Sequence, residues 1–139
     1  MNDKLWHEVD DYIGRLVEQD DALRAALNES AKAGLRPIQV SPAQGKLLML
    51  LAQVQRARSI LEIGTLGAYS TIWLARGLDP DGRLLTLELS QEYAHVAQRN
   101  IARAGLVGAI IFCATERVGS SARVAGNFVA EFHEFVFER

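Results

Sequence analysis

Two carboxylates and two glycines have the types and spacing to hold a ligand. Glu62 lies just before Gly64 in "SILEIGTLGAYSTIWLARGL", residues 59–78, with Gly67 following, and Glu88 falls at the end of a second apolar run, "RLLTLEL". A parallel strand that ends in glycine and feeds a helix opens a crevice at the carboxyl edge of its sheet. Gly64 and Gly67 let the backbone approach a ligand without a Cβ in the way. A carboxylate at the next strand end, the place of Glu88, can accept both hydroxyls of a ribose. The spacing therefore points to a nucleoside-containing cofactor. The plain alternative is a tight turn that holds nothing.

The elements that must position these groups are legible as periodicity. "SILEI" is short, apolar and β-branched twice, which predicts a buried strand. "STIWLARGL" predicts a helix with Gly77 as its stop, and "DPDG" at 79–82 is turn chemistry. "RLLTLEL" predicts a second strand. Ser90 caps a further helix whose inward positions are Tyr93, Ala97, Ile101 and Ala104, and Gly105 ends it. Strand, helix, strand, helix implies a parallel sheet with crossover helices. Upstream, Leu5, Val9, Ile13, Leu16 and Val17, then Leu23, Ala26 and Leu27, recur at helical spacing over residues 3–34. Ser41, Pro42 and Gln44 form the opening of another helix with a capping box, and Leu47, Leu48, Leu51 and Val54 line one of its faces.

Composition narrows the function classes. The chain has 139 residues, a formal net charge of −2, 49% hydrophobic and 23% charged residues, a globular balance. No cluster of Lys and Arg exists to neutralise phosphates, so no nucleic-acid partner is expected. No apolar run reaches the ~20 residues of a membrane span, and the charged N-terminus is no signal peptide. One cysteine, Cys113, permits no internal disulfide, and a cytoplasmic location is expected. Cys113 reads as a small buried hydrophobe. Trp6 and Trp73 read as packing residues, and His7 and His95 have no partner cluster.

The cofactor can be narrowed from the same turn. The dinucleotide triple G-x-G-x-x-G is absent. A pyrophosphate also has no use for the Glu62 carboxylate, whereas a cofactor with a positive amino group does. This favours S-adenosylmethionine over NAD. The stretch from "VSPAQGKLLMLL" through "LEIGTLGAYSTIWL" to "LLTLELSQEYAHVAQRNIARAGL", residues 38–106, resembles the first half of a bacterial class I O-methyltransferase of the catechol and caffeoyl-CoA O-methyltransferase group. The resemblance implies an α/β fold, a Rossmann-like doubly wound parallel sheet, of which this chain carries the N-terminal half preceded by helices. It implies that Glu62 holds the amino group of the methionine part, that Gly64 and Gly67 admit the cofactor, and that Ser70 hydrogen-bonds its carboxylate. Tyr69 packs nearby, Glu88 binds the ribose and Val40 lies over the cofactor. Ala68 stands where many relatives carry glycine. The implied activity is methyl transfer to a hydroxyl of a small catechol-like or phenolic acceptor.

The family also implies a divalent metal, held by acidic residues later in the chain. This sequence has no Asp after Asp81 and no Lys after Lys46. Neither metal ligands nor a catalytic residue can be named. Every leucine lies in residues 1–106, and all five phenylalanines lie in 107–139. The chain is thus expected to be one partial domain: helices over 1–37, a cofactor half over 38–106 and an atypical tail over 107–139, with the chain truncated or its tail from a shifted reading frame, the alternative being a divergent but native tail. In the tail, Glu131, His133 and Glu134 fail the H-E-x-x-H pattern because Phe137 replaces the second histidine, and "EFVFE" reads as an edge strand. Such an edge predicts a homo-oligomer or poor solubility. The competing functions are a non-catalytic cofactor-binding or dimerising module and a fragment of an NAD-dependent oxidoreductase.

Overall fold

The structure, a computed structural model, describes residues 3–114. Three strands form one parallel sheet in the order β1 (Ser59–Ile63), β2 (Arg83–Glu88), β3 (Ile110–Ala114). Helix α4 (Tyr69–Arg76) connects β1 to β2, and α5 (Gln91–Arg103) connects β2 to β3. Ahead of them lie α1 (Asp3–Leu16), α2 (Asp21–Lys32) and α3 (Pro42–Val54). Residues 115–139, including Glu131, His133, Glu134 and "EFVFE", lie outside the described residues.

The sheet is anchored by apolar residues on the side that α4 and α5 cover, chiefly those of β2, whereas β1, expected to be a buried strand, alternates exposed and half-buried residues because no described element covers its other face. Leu84 of β2 meets Ala75, Ala97, Ile101 and Ile110 in one core, with Ile60 packed against it. Strand alternation then puts Glu62 on the same face as Ile60, over the start of α4. A second core is formed by Leu23 and Ala26 of α2 with Tyr69, Ile72 and Trp73 of α4. The helix starts behave as their sequences predict. Ser41 and Gln44 close a capping box on α3, and Ser90 accepts from the Tyr93 N–H on α5. Gly105 follows α5 with φ +71°, a left-handed value that glycine takes at little cost.

The leucine stripe of α3 departs from expectation. Leu47, Leu51 and Val54 are exposed, while Gly45 and Ala52 are buried. The reason is the closeness of α3 to α4. A Cβ on Gly45 would overlap the Trp73 ring, and one on Gly77 would strike the Met49 carbonyl oxygen. Small residues therefore make the contact and the long ones face outward. Trp6, expected to pack, is 61% exposed on α1, whereas Trp73 is buried and meets Tyr69 edge-on with centroids 6.5 Å apart. Cys113 is half-buried on β3.

Candidate functional site

The turn between β1 and α4 alternates in handedness. Gly64, Leu66 and Ala68 all have positive φ, at 91°, 51° and 66°. The first is a natural glycine position, and a Cβ there would meet open space. The other two are L-residues held where such residues are strained. Hydrogen bonds pin the turn, with the Ala68 N–H donating to the Thr65 carbonyl at 2.9 Å. The Gly64 N–H donates to the Leu87 carbonyl at 2.9 Å, and the Leu66 N–H donates to Glu88 Oε2 at 2.8 Å. Ala68 is the N-cap of α4 and has no side-chain cap to offer, so the helix start presents its N–H groups without a competing side chain.

Glu88 is buried at the end of β2 and does two jobs in the backbone. Besides Leu66, its Oε1 accepts from the Ser90 N–H at 2.9 Å, tying the β1–α4 turn to the start of α5. Glu62 is set by hydroxyls. Oε1 accepts from Ser70 Oγ at 2.6 Å, and Oε2 accepts from Thr71 Oγ1 at 2.6 Å and Thr86 Oγ1 at 2.7 Å. Burial pushes the Glu62 carboxyl above the ordinary carboxylate range, and the Ser70, Thr71 and Thr86 hydroxyls pull it back part of the way. Thr86 is the register partner of Glu62 on the next strand.

These groups surround a cavity of about 380 Å³. Val40, Gly64, Gly67, Tyr69, Ser70 and Glu88 all line it, together with Leu27 and Ser30 of α2, the Arg36–Val40 loop and Tyr93 of α5. Six of the seven residues expected from the sequence thus share one cavity. Glu62, the seventh, is not among its lining residues and reaches it through Ser70.

Three details differ from expectation. Gly67 does line the cavity, but its missing Cβ points at Ser30 of α2, so glycine is needed there for helix packing. The Ser70 hydroxyl has one proton and gives it to Glu62, so it can donate to a ligand only by leaving that carboxylate. Tyr69 does more than pack: its hydroxyl donates to Gln19 Oε1 at 2.7 Å, tying the turn to the α1–α2 linker. The sequence reading also missed Thr65, Thr71 and Thr86. For Thr86 the signal is register, visible only once "LEI" and "TLE" are set side by side, whereas Thr65 and Thr71 are brought in by the turn and the first turn of α4. Among the described residues no group of three or more His, Cys, Asp or Glu could hold a metal ion.

A sheet of this topology with a glycine turn at its carboxyl edge defines a nucleotide-type cofactor domain of the doubly wound class. The family is given by comparison. A family model described as O-methyltransferase matches residues 15–137, which includes most of the leucine-free tail. The chain belongs to this O-methyltransferase family. It is 54% identical over 111 residues to a catechol O-methyltransferase of Niastella koreensis, covering 79% of this chain and 50% of that protein. A catechol O-methyltransferase of Mycobacterium tuberculosis is 56% identical over 91 residues, covering 66% and 41%. Among solved structures, the O-methyltransferase from Bacillus cereus in complex with SAH superposes with a TM-score of 0.78 at 45% identity, covering 89% of this chain and 56% of that one. The O-methyltransferase TomG from Streptomyces achromogenes, in complex with SAM, gives 0.78 at 40% identity, covering 92% and 56%. The chain spans about half the length of the relatives it matches.

Proposed function

We propose that the chain binds S-adenosylmethionine in the 380 Å³ cavity and is the cofactor half of an O-methyltransferase that methylates a hydroxyl of a small catechol-like or phenolic acceptor. One observation carries this reading: Glu88 and the Glu62–Ser70 pair meet the same cavity across the Gly64 turn. The relatives support it, since two are named catechol O-methyltransferase and two solved neighbours hold SAH or SAM.

The donor set fits the cofactor. A carboxylate has about four acceptor positions, and Glu62 uses three on hydroxyls, which leaves one on Oε1. That position suits an ammonium. The Ser70 hydroxyl, if turned away from Glu62, would donate to the carboxylate of the methionine part. The uncapped start of α4 adds its favourable dipole for that carboxylate. Glu88, fixed by two backbone N–H groups, is pre-oriented toward ribose hydroxyls. Gly64 leaves room for the backbone to approach, and Val40 and Tyr93 provide walls. The cofactor supplies a methyl group activated on a sulfonium. The chain's own residues hold and orient it. The divalent metal implied by the family finds no ligand set among the described residues, so acceptor activation is assigned to none of them.

A second reading keeps cofactor binding without transfer. Two assays separate the readings. Calorimetric titration with S-adenosylhomocysteine should show saturable binding, weakened about tenfold in Ser70→Ala through loss of a charge-assisted hydrogen bond. Labelled S-adenosylmethionine with catechol should give methylated catechol. Binding without product leaves the non-catalytic reading, and absence of binding by a folded chain sinks both. The exposed apolar residues of α1 and α3 further support self-association of this chain.

A further inference from the structure

Thr86 lies behind the site and does not line the cavity. It is fully buried, as are Thr65 and Thr71. Its hydroxyl gives its single proton to Glu62 Oε2 at 2.7 Å. The 2.6 Å contact between Thr65 and Thr86 must then have Thr65 as donor. The hydroxyls thus form a one-way chain, Thr65 to Thr86 to Glu62, with Thr71 donating to the same Glu62 oxygen at 2.6 Å. We infer that Thr86, with Thr71, is a positioning residue for Glu62: the two hydroxyls saturate Oε2, leave Oε1 as the one place where a cationic group can bind, and keep the carboxylate charged where water is scarce. The inference rests on the cofactor reading for the identity of the cation, and on the hydroxyl geometry for the rest.

No other described charge takes over this task. On β2, Glu88 is engaged by the Leu66 and Ser90 N–H groups, and Arg83 donates to the Asp81 and Gly82 carbonyls at the far end. On α4, Arg76 pairs with Asp20, and the Tyr69 phenol donates to Gln19. β1 has no ionisable residue besides Glu62. The forces acting on the Glu62 carboxyl are burial and three hydroxyls. Removal of one hydroxyl therefore favours the protonated form, which cannot bind an ammonium by charge.

The test is a pH series on the whole chain as wild type, Thr86→Val and Thr86→Ser. Carbon NMR of labelled glutamate follows the Glu62 carboxyl without ligand, and calorimetry follows S-adenosylhomocysteine binding. In Thr86→Val the Glu62 midpoint should rise by about one pH unit, with binding at acidic pH weaker by about tenfold. Thr86→Ser should restore both. If Thr86→Val does not fold, Thr71→Val removes the other hydroxyl from the same oxygen and should move the midpoint in the same direction. An unmoved midpoint in a folded valine variant, or valine and serine behaving alike, would overturn the inference. Failure of the wild type to bind at any pH would sink the cofactor reading instead, and the ligand-free titration would still decide the role of Thr86.

Discussion

At the scale of single residues, the turn sets a demand that two neighbouring positions meet differently. Gly67 is required by the approach of Ser30, because any Cβ would overlap that side chain. Gly67→Ala should cost about 1–3 kcal/mol by overpacking, measured by denaturant unfolding, and adding Ser30→Ala should recover part of it. Ala68 is strained at φ 66° yet its methyl is 0% exposed in the core. Ala68→Gly relieves roughly 1 kcal/mol of backbone strain and loses roughly as much from the buried methyl. The two should nearly cancel, so a change above about 1 kcal/mol in either direction would contradict this balance. Glycine at 67 was legible in the sequence as a sign of close approach, but not what approaches. The spacing named a ligand, and the structure adds a helix. Glu62 and Glu88 were legible as strand-end carboxylates. That Glu88 also anchors the turn backbone depends on Leu66 having positive φ, which no residue type announces.

At the scale of elements, local chemistry carried most of the information. Ser41 with Gln44, Ser90 and Gly105 each mark a helix end through a bond or a dihedral set within a few residues. Elements whose meaning depends on a partner were less legible. Periodicity gave α3 a leucine face, but only the packing of Gly45 against Trp73 decides that this face points outward. The threonines around Glu62 were hidden for the same reason, since their grouping needs strand register and the first turn of α4. The start of α2 provides a test. Asp20 caps it by accepting from the Leu23 N–H at 3.0 Å and pairs with Arg76 at 2.5 Å. Burial opposes its charge, but the Leu23 N–H and the Arg76 guanidinium outweigh it and hold the carboxyl below its ordinary value. A lowered folded pKa contributes stability above the unfolded pKa and loses it as pH falls through the folded one. Asp20→Ala should therefore cost about 1 kcal/mol at neutral pH. Asp20→Asn should cost less, about 0.5 kcal/mol, because an asparagine keeps the cap and the ion pair is half-open to solvent. Both differences should narrow in acid, below the usual carboxylate range. A gap that widens there would contradict the assignment.

At the scale of the molecule, two of the described helices, α1 and α3, present apolar surface left open. Val54 of α3 is 82% exposed, Leu47 and Leu51 are exposed on the same helix, and Leu5 and Leu16 are exposed on α1, whereas the exposed Ile63 of β1 lines the cavity. Apolar surface on this scale favours association. Sedimentation of the chain should show a concentration-dependent oligomer. Leu51→Lys with Val54→Lys should weaken it while changing the thermal stability by no more than about 1 kcal/mol, since both sites are exposed. A monomer at all concentrations would contradict this. No helix among the described residues is long and apolar enough to cross a membrane.

One cavity, framed by Glu62 through Ser70 at one side and by Glu88 at the other, is the proposed seat of the cofactor. A crystal structure of the chain grown with S-adenosylhomocysteine tests it most directly. The ligand should lie in that cavity, with its ammonium on Glu62 Oε1, the Ser70 hydroxyl turned to its carboxylate, and its ribose hydroxyls on Glu88. A ligand bound elsewhere, or one in the cavity with Ser70 still donating to Glu62 and no contact to Glu88, would contradict it.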